Sequence, residues 1–462
     1  MERAWPFELT PAKEKTTELR MMRRLPVAGE LRNAVVLQGD ASREVTVIGA
    51  GIVGVCCALY LQREGFAVTV VDREAPGEGC SKGNAGIFGA ASCVPLAMPG
   101  AARRLPRTLL SSCSSPSVRL HHLPKAAPWL LRFLLSSRRR RAEAIARALR
   151  SLQRSLFDAY APLLEDAGAE AMVQRSGKLH VYESRQAFER DGLERDIQRR
   201  NGVEVRELTG EQARELEPAL APDVTNAAYF PQVAHCIDPF RLVQTLVRHF
   251  LRTGGRLVRG TVKAFELGSN GPCRLVTESG GMDVETLVIA AGAWSRPLVA
   301  ELGTKVPLES ERGYHTMLPR PGVSVRIPIK AGGRGVVLTP METGLRIAGI
   351  GELAGVTKPA DYSCADRLVA VAESLVPGLS MEGATYWMGH RPATPDSLPV
   401  VGRSPRYRNV YFAFGHGHVG LALAAITGKL VAELASRRPT SVDITPFAPD
   451  RFHWSGAATI KE

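Results

Sequence analysis

From Glu44 the chain reads EVTVIGAGIVGVCCALYLQREGFAVTVVDRE, and this stretch constrains the fold more than any other. Val45 to Ile48 is a short apolar strand, Gly49-Ala50-Gly51-Ile52-Val53-Gly54 is GxGxxG, a helix is expected from Ile52 to Glu64, and Ala67 to Val71 is a second strand ending at Asp72. Gly49 permits the tight turn, and Gly51 lets backbone approach a pyrophosphate at the helix N-terminus, where Ile52 and Val53 begin. Gly54 with Ala58 lets helix and strand pack closely. Asp72, with Arg73 beside it, lies at the tip of the second strand, where a carboxylate accepts a hydrogen bond from a ribose 2′-OH. An acid there disfavours a 2′-phosphate. A bare GxGxxG means little, but here strand, glycines, helix, second strand and acid fall in order, which points to dinucleotide binding.

The rest of the chain has room for more than this unit. Its 462 residues are 45% hydrophobic and 23% charged, which suits a globular protein of two or more lobes. The eight cysteines show no CxxC and no metal-type spacing, so reduced, packing thiols are expected and no metal site. Residues 1–42 lack the apolar core of a secretory signal and read as a disordered tail or, given Met21 and Met22, as the product of an upstream start. No apolar run is expected to be long enough to cross a membrane.

Three further segments carry small-residue patterns. Gly79 to Ile87, GCSKGNAGI, follows the second strand and offers Ser81, Asn84, Ala85 and Gly86 to an extended cofactor. Glu285 to Trp294 reads as a buried strand closed by a turn with Ala291, Gly292 and Trp294. Phe414 to Leu421, FGHGHVGL, precedes a small-residue helix from Ala422 to Leu434, whose N-terminus suits a group carrying negative charge. Between them stands GHRPATPDSLPVVG, Gly389 to Gly402, with prolines at 392, 395 and 399, and Pro405 just beyond; it reads as a rigid loop that aims Arg391.

Together VIGAGIVG, EGCSKGNAGI, VIAAGAWS, GHRPATPDSLPVVG and NVYFAFGHGHVGL resemble the FAD-dependent oxidoreductases of the D-amino-acid oxidase type, and most of all bacterial D-amino-acid dehydrogenases, including the branch that acts on D-proline and hydroxy-D-proline. The resemblance runs from about residue 44 to 440. It implies an α/β fold: a Rossmann-type FAD-binding domain built from residues 44–95, 230–300 and 390–440, and a discontinuous substrate domain, 96–229 and 305–388, whose antiparallel sheet roofs the flavin. It implies cofactor contacts at Val262, Gly415, Gly417, His418, Gly420 and Leu421. Cysteine-tethered relatives carry the cysteine just before the T-P-D element; Gly389 stands there, so FAD is expected to be non-covalent.

The resemblance implies oxidative deamination of D-amino acids, with electrons passing to a respiratory acceptor such as a quinone. The rivals are oxidation of a cyclic or secondary amino acid such as D-proline, 4-hydroxy-D-proline or sarcosine, and a flavin-carrying electron-relay subunit. Holding Cα in line with the flavin calls for a carboxylate clamp, and the planar fork of an arginine fits it where lysine does not. In the family that arginine is the one of G-x-R-P, here Arg391. Tyr314 in SERGYHTML is expected to share the carboxylate, with Tyr386 in reserve, and His315 and His235 are expected to line the pocket.

The net charge of +13 is uneven. Between Ala101 and Arg154 thirteen Lys or Arg stand against Glu143 alone. Within that segment PWLLRFLLSSRRRR, residues 128–141, is either a helix packed on the body with a solvated basic end or a peripheral anchor on the inner face of the cell membrane, with Trp129, Leu130, Leu131, Phe133 and Leu134 dipping in. Nucleic acid is not an expected partner. A cytoplasmic location fits either reading.

Overall fold

The computed structural model describes residues 43–102 and 117–452; the expected tail, 1–42, lies outside the described residues. The chain first builds β1 (Glu44–Ile48), α1 (Ile52–Arg63) and β2 (Ala67–Asp72), as the motif requires. It later supplies α2 (Leu123–Ser136) and returns with β3 (Arg256–Arg259) and β4 (Thr286–Ile289). β5 (Glu309–Leu318), β6 (Gly344–Leu353) and β7 (Thr385–Ala393) form part of a second sheet. β8 (Val400–Arg403), β9 (Val410–Phe414) and α3 (Gly420–Ala435) then close the first lobe.

The first sheet runs β3-β2-β1-β4-β9-β8, parallel except for the β8–β9 pair. Parallel strands covered on both faces need apolar side chains on both, and Val45, Val47, Val68, Val70, Leu287 and Val288 are all buried. α1 and α3 touch so closely that a methyl on Gly428 would sit 2.5 Å from the Cys56 carbonyl oxygen. α3 corrects one expectation: Gly417–Ala435 is long and apolar enough to cross a membrane, but 72% of it is buried inside the protein, as a core helix is. The helices Arg139–Arg154 and Leu156–Ala167, expected in the second lobe, instead pack into this core. The Tyr160 hydroxyl donates to the Leu421 carbonyl at 2.5 Å, and the Tyr60 hydroxyl to the Ala159 carbonyl at 2.6 Å.

The second sheet runs β7-β5-β6 and continues through Val337–Met341, Ile329–Ala331, Leu179–Tyr182, Asn226–Tyr229 and Arg206–Thr209. Along this path it is antiparallel apart from the Ile329–Ala331/Leu179–Tyr182 pair. β7 is its edge strand, which is where a strand tolerates Pro392. Arg391 therefore rides on regular strand rather than on the rigid loop its prolines suggest, and the strand runs unbroken across the expected lobe boundary near residue 390.

α2 favours the packed reading of the basic segment. Trp129 and Leu130 are buried, the Trp129 indole donates to the Ala393 carbonyl at 3.0 Å, and its ring stacks on Phe133. These side chains are anchored to the protein and cannot dip into lipid. Leu131 and Leu135 face outward.

Candidate active site

A cavity of about 780 Å³ opens between the first sheet and β7. Its floor is the β1–α1 turn. Gly49 adopts φ +114, and a methyl there would sit 2.4 Å from the Ala290 carbonyl oxygen at the end of β4. Gly54 is required for a different reason: a methyl on it would collide with the Gly49 carbonyl oxygen at 1.8 Å. The Asp72 carboxylate ties the turn together, accepting from the amides of Ala50 at 2.6 Å and Glu74 at 2.9 Å, and burial pushes its pKa up. The Ser81 hydroxyl accepts from the Ile52 amide at 3.0 Å.

Gly49, Gly51, Ile52, Val53, Asp72 and Arg73 line the cavity, as do Ser81 and Asn84 from the following loop. Val262, Ala291, Gly292 and Trp294 line its far end, with Gly417, Gly420 and Leu421 opposite. Gly54, Ala85, Gly86, Gly415 and His418 do not. Ala85 accepts the Thr339 hydroxyl at 2.8 Å, Gly86 (φ +75) accepts the Cys236 amide at 2.7 Å, and Gly415 (φ +80) makes the turn before α3.

The substrate candidates divide by the pleat of β5, since successive side chains point to opposite faces. Glu311, Gly313 and His315 share one face with Arg391, Gly389 and Trp387 of β7. Arg312 and Tyr314 share the other. Arg391 is partly buried, and its Nη1 donates to Glu311 Oε1 at 3.2 Å and to the Ile350 carbonyl at 2.9 Å. That carbonyl is aimed by a bulge in β6 where Ile350 takes φ +57, a strained conformation for a β-branched residue. A methyl on Gly313 would sit 2.2 Å from Arg391 Cζ, so glycine is what admits the guanidinium.

Glu311 was not singled out in the sequence, although it stands in the same SERGYHTML string. Its carboxylate receives His418 Nε2 at 2.9 Å on both oxygens as well as Arg391. Burial opposes its ionisation, but His418 and then Arg391 outweigh that and hold its pKa down at about 2. Trp387 was also missed. Its indole lies over Gly83 and Gly389, where added methyls would meet it at 2.0 and 1.9 Å, and stacks on His315 at 5.2 Å. The two glycines are its sequence signature, but only the register reveals that they face one ring.

Tyr314 is not brought to Arg391. Its hydroxyl donates to Glu352 at 2.9 Å and accepts from Arg312 at 2.7 Å, on the face covered by the helix Ala365–Leu375. Burial pushes its pKa up to about 12. Tyr386 lies exposed against Tyr362. His315 joins the Arg391 face, its Nδ1 3.1 Å from the Gly83 carbonyl, with burial and then Arg346 pulling its pKa to about 3. His235 sits away in a small sheet, bonded to the Ser176 hydroxyl at 2.9 Å.

The histidines around the proline stretch also find partners. His390 Nδ1 meets the Ser310 hydroxyl at 2.8 Å, and His416 Nε2 meets Thr427 at 2.9 Å; burial draws them to about 4 and about 3, so both rings are neutral at neutral pH.

Residues 44–434 match the family described as FAD dependent oxidoreductase, DAO. The chain belongs to this family. The oxidoreductase is 37% identical over 417 residues to a D-amino-acid oxidase of Bradyrhizobium diazoefficiens, a match covering 89% of this chain and 99% of the relative. It is 30% identical over 447 residues to D-amino acid dehydrogenase 2 of Ralstonia nicotianae, covering 88% and 99%. Among solved structures it is similar to glycine oxidase from Geobacillus kaustophilus, with a TM-score of 0.68, 25% identity, and coverage of 89% and 99%. The oxidoreductase binds FAD, and its cavity fits that cofactor. A methyl on Gly51 would meet nothing of the protein within 4 Å except the Ser81 hydroxyl at 3.4 Å, so the bare backbone there is free to meet a phosphate.

Proposed function

We propose that this FAD-dependent oxidoreductase of amino-acid-type substrates acts on D-amino acids, giving the 2-oxo acid and ammonia, and delivers electrons to a respiratory acceptor. The relatives named for D-amino acids support the substrate class. The observation that carries the reading is Arg391: Nη1 is held by Glu311 and Ile350, while Nε and Nη2 have no hydrogen-bond partner among the described residues. That leaves one planar edge for a carboxylate.

Bound FAD supplies the acceptor for the electron pair that leaves Cα as hydride. Gly49, Gly51 and the first turn of α1 would hold its pyrophosphate, Asp72 a ribose, and Gly417 to Leu421 the flavin end. Arg391 fixes the substrate carboxylate, and Trp387 with His315 walls the site against water. Cys80 is the cysteine on the cavity wall among the described residues; burial pushes its thiol up to about 11, which suits a non-covalent cofactor.

The experiment is anaerobic mixing with D- and L-amino acids, D-proline, 4-hydroxy-D-proline and sarcosine while the oxidised flavin absorbance is followed. Bleaching by D-amino acids supports the reading, and bleaching by L-forms alone overturns it. Preference for D-proline or sarcosine would favour the cyclic or secondary amine reading. Exposed Leu131 and Leu135 beside the exposed Arg138, Arg139 and Arg140 support peripheral contact with an anionic membrane, checked by sedimentation with phosphatidylglycerol vesicles.

A further inference from the structure

We propose that His418 accepts the proton which the substrate's ammonium must lose before oxidation, and that Glu311 positions its ring for this, an inference that rests on the amino-acid reading above.

The charges around Arg391 lead to it. One guanidinium faces one buried carboxylate, Glu311, so that pair is already neutral. A substrate carboxylate on the free edge of Arg391 brings a second negative charge to the same cation, at a place where charge is poorly solvated and must be compensated. Glu311 does not relieve this by taking a proton, because the Arg391 guanidinium and the His418 N–H both favour its ionised form. The compensation has to come from the substrate's own ammonium. An amino-acid zwitterion therefore lies with its carboxylate on Arg391 and its nitrogen toward Glu311 and His418.

The ring is set up to take a proton. Nε2 lies 2.9 Å from both oxygens of Glu311, an ionised acceptor, so Nε2 carries hydrogen. In the neutral ring the lone pair is then on Nδ1, which has no hydrogen-bond partner among the described residues. His418 does not itself line the cavity, but it stands in the same turn as Gly417 and Gly420, which do, and beside Glu311, the partner of Arg391. The ammonium N–H bond breaks with its electron pair left on nitrogen, and the proton forms the Nδ1–H bond. The imidazolium so made is stabilised by Glu311, and the freed lone pair forms the C=N bond as hydride departs. The side chain is 37% exposed, which lets the proton pass on to solvent.

Few other titratable groups face the ring. Arg391 and Glu311 face the site from β7 and β5, and the Cys80 thiol, which feels both, stays protonated at about 11. Gly420 to Ile426 of α3 carry no titratable side chain. His416 is buried against Thr427.

The test follows anaerobic flavin bleaching by the fastest D-amino acid from about pH 6 to about pH 10 in wild type, His418→Gln and Glu311→Gln, each loaded with FAD. His418→Gln is expected to lose about 10²-fold in rate near neutral pH. Its rising limb should move up toward the pKa of the free substrate ammonium, so that the loss shrinks at high pH. Glu311→Gln should be slowed with an intermediate limb. A deficit independent of pH in His418→Gln, or a change confined to KM, overturns the proposal. If His418→Gln fails to hold FAD, two substrates of different ammonium pKa are compared on the wild-type protein. A common limb supports the proposal, and a limb that follows the substrate overturns it. No bleaching of wild type by any amino acid overturns the substrate reading and this inference with it, whereas bleaching with an unshifted limb overturns this inference alone.

Discussion

The two faces of β5 each carry an arginine against a glutamate, and they are built for opposite ends. On one, Arg391 meets Glu311 with a planar edge left open and Gly313 clearing space for it. On the other, Arg312 is fully buried, 3.3 Å from Glu352, with Nη2 donating to Tyr314 and to the Pro359 carbonyl, each at 2.7 Å. Arg119 adds a further ion pair to Glu352. Arg312 is sealed inside the protein, where its remaining Nε and Nη1 donors are reached by nothing among the described residues beyond the Glu352 ion pair, whereas Arg391 keeps part of its guanidinium exposed and can bind. The pleat alone decides which arginine does which.

Substitutions should separate the faces. The largest effect is expected from Arg391→Ala, which removes the clamp and leaves Glu311 to His418. kcat/KM should fall by about 10²- to 10³-fold, with thermal stability nearly intact, because the substrate's carboxylate loses a charged partner worth roughly 2–5 kcal/mol. Arg312→Met should do the reverse. It leaves Glu352 buried with one cation fewer and should cost about 3–5 kcal/mol of stability by denaturant titration, while the folded fraction keeps its KM.

Gly313→Ala sharpens the contrast from the open side. Its methyl meets Arg391 Cζ, so the guanidinium must shift, with an expected loss of about tenfold in kcat/KM and roughly 1–3 kcal/mol of strain. Tyr314→Phe should be the smallest, costing about 1 kcal/mol of stability with kcat/KM unchanged.

Acid should loosen both faces. His315, His390 and His416 have folded pKa values of about 3, 4 and 3 against an ordinary 6.5. Between those values the unfolded chain binds more protons, so Tm should fall as pH drops below about 6.5. Glu311 adds a loss in the same direction, from about 4.5 down through about 2.

The nucleotide half of this architecture was legible because its logic is local. Strand, glycine turn, helix and acid follow one another within about thirty residues, and each glycine serves a neighbour in that run. The substrate half depends on register. Tyr314 and Glu311 stand three residues apart in one string, and nothing in the string says which of them shares a face with Arg391. The pairing Glu311↔Arg391 and Gly313↔Gly389 says it at once. The same holds for α2, whose apolar run reads equally as an anchor or a packed helix until the Trp129 bond to Ala393 is seen. Prolines suggested a loop around Arg391 because sequence does not distinguish a loop from an edge strand that tolerates Pro392.

The most direct measurement sets Arg391→Ala beside Tyr314→Phe and follows anaerobic flavin reduction by one D-amino acid. The open-face account predicts near wild-type kcat/KM for Tyr314→Phe and a loss of about 10²-fold or more for Arg391→Ala. Equal losses in the two, or a loss confined to Tyr314→Phe, would contradict it.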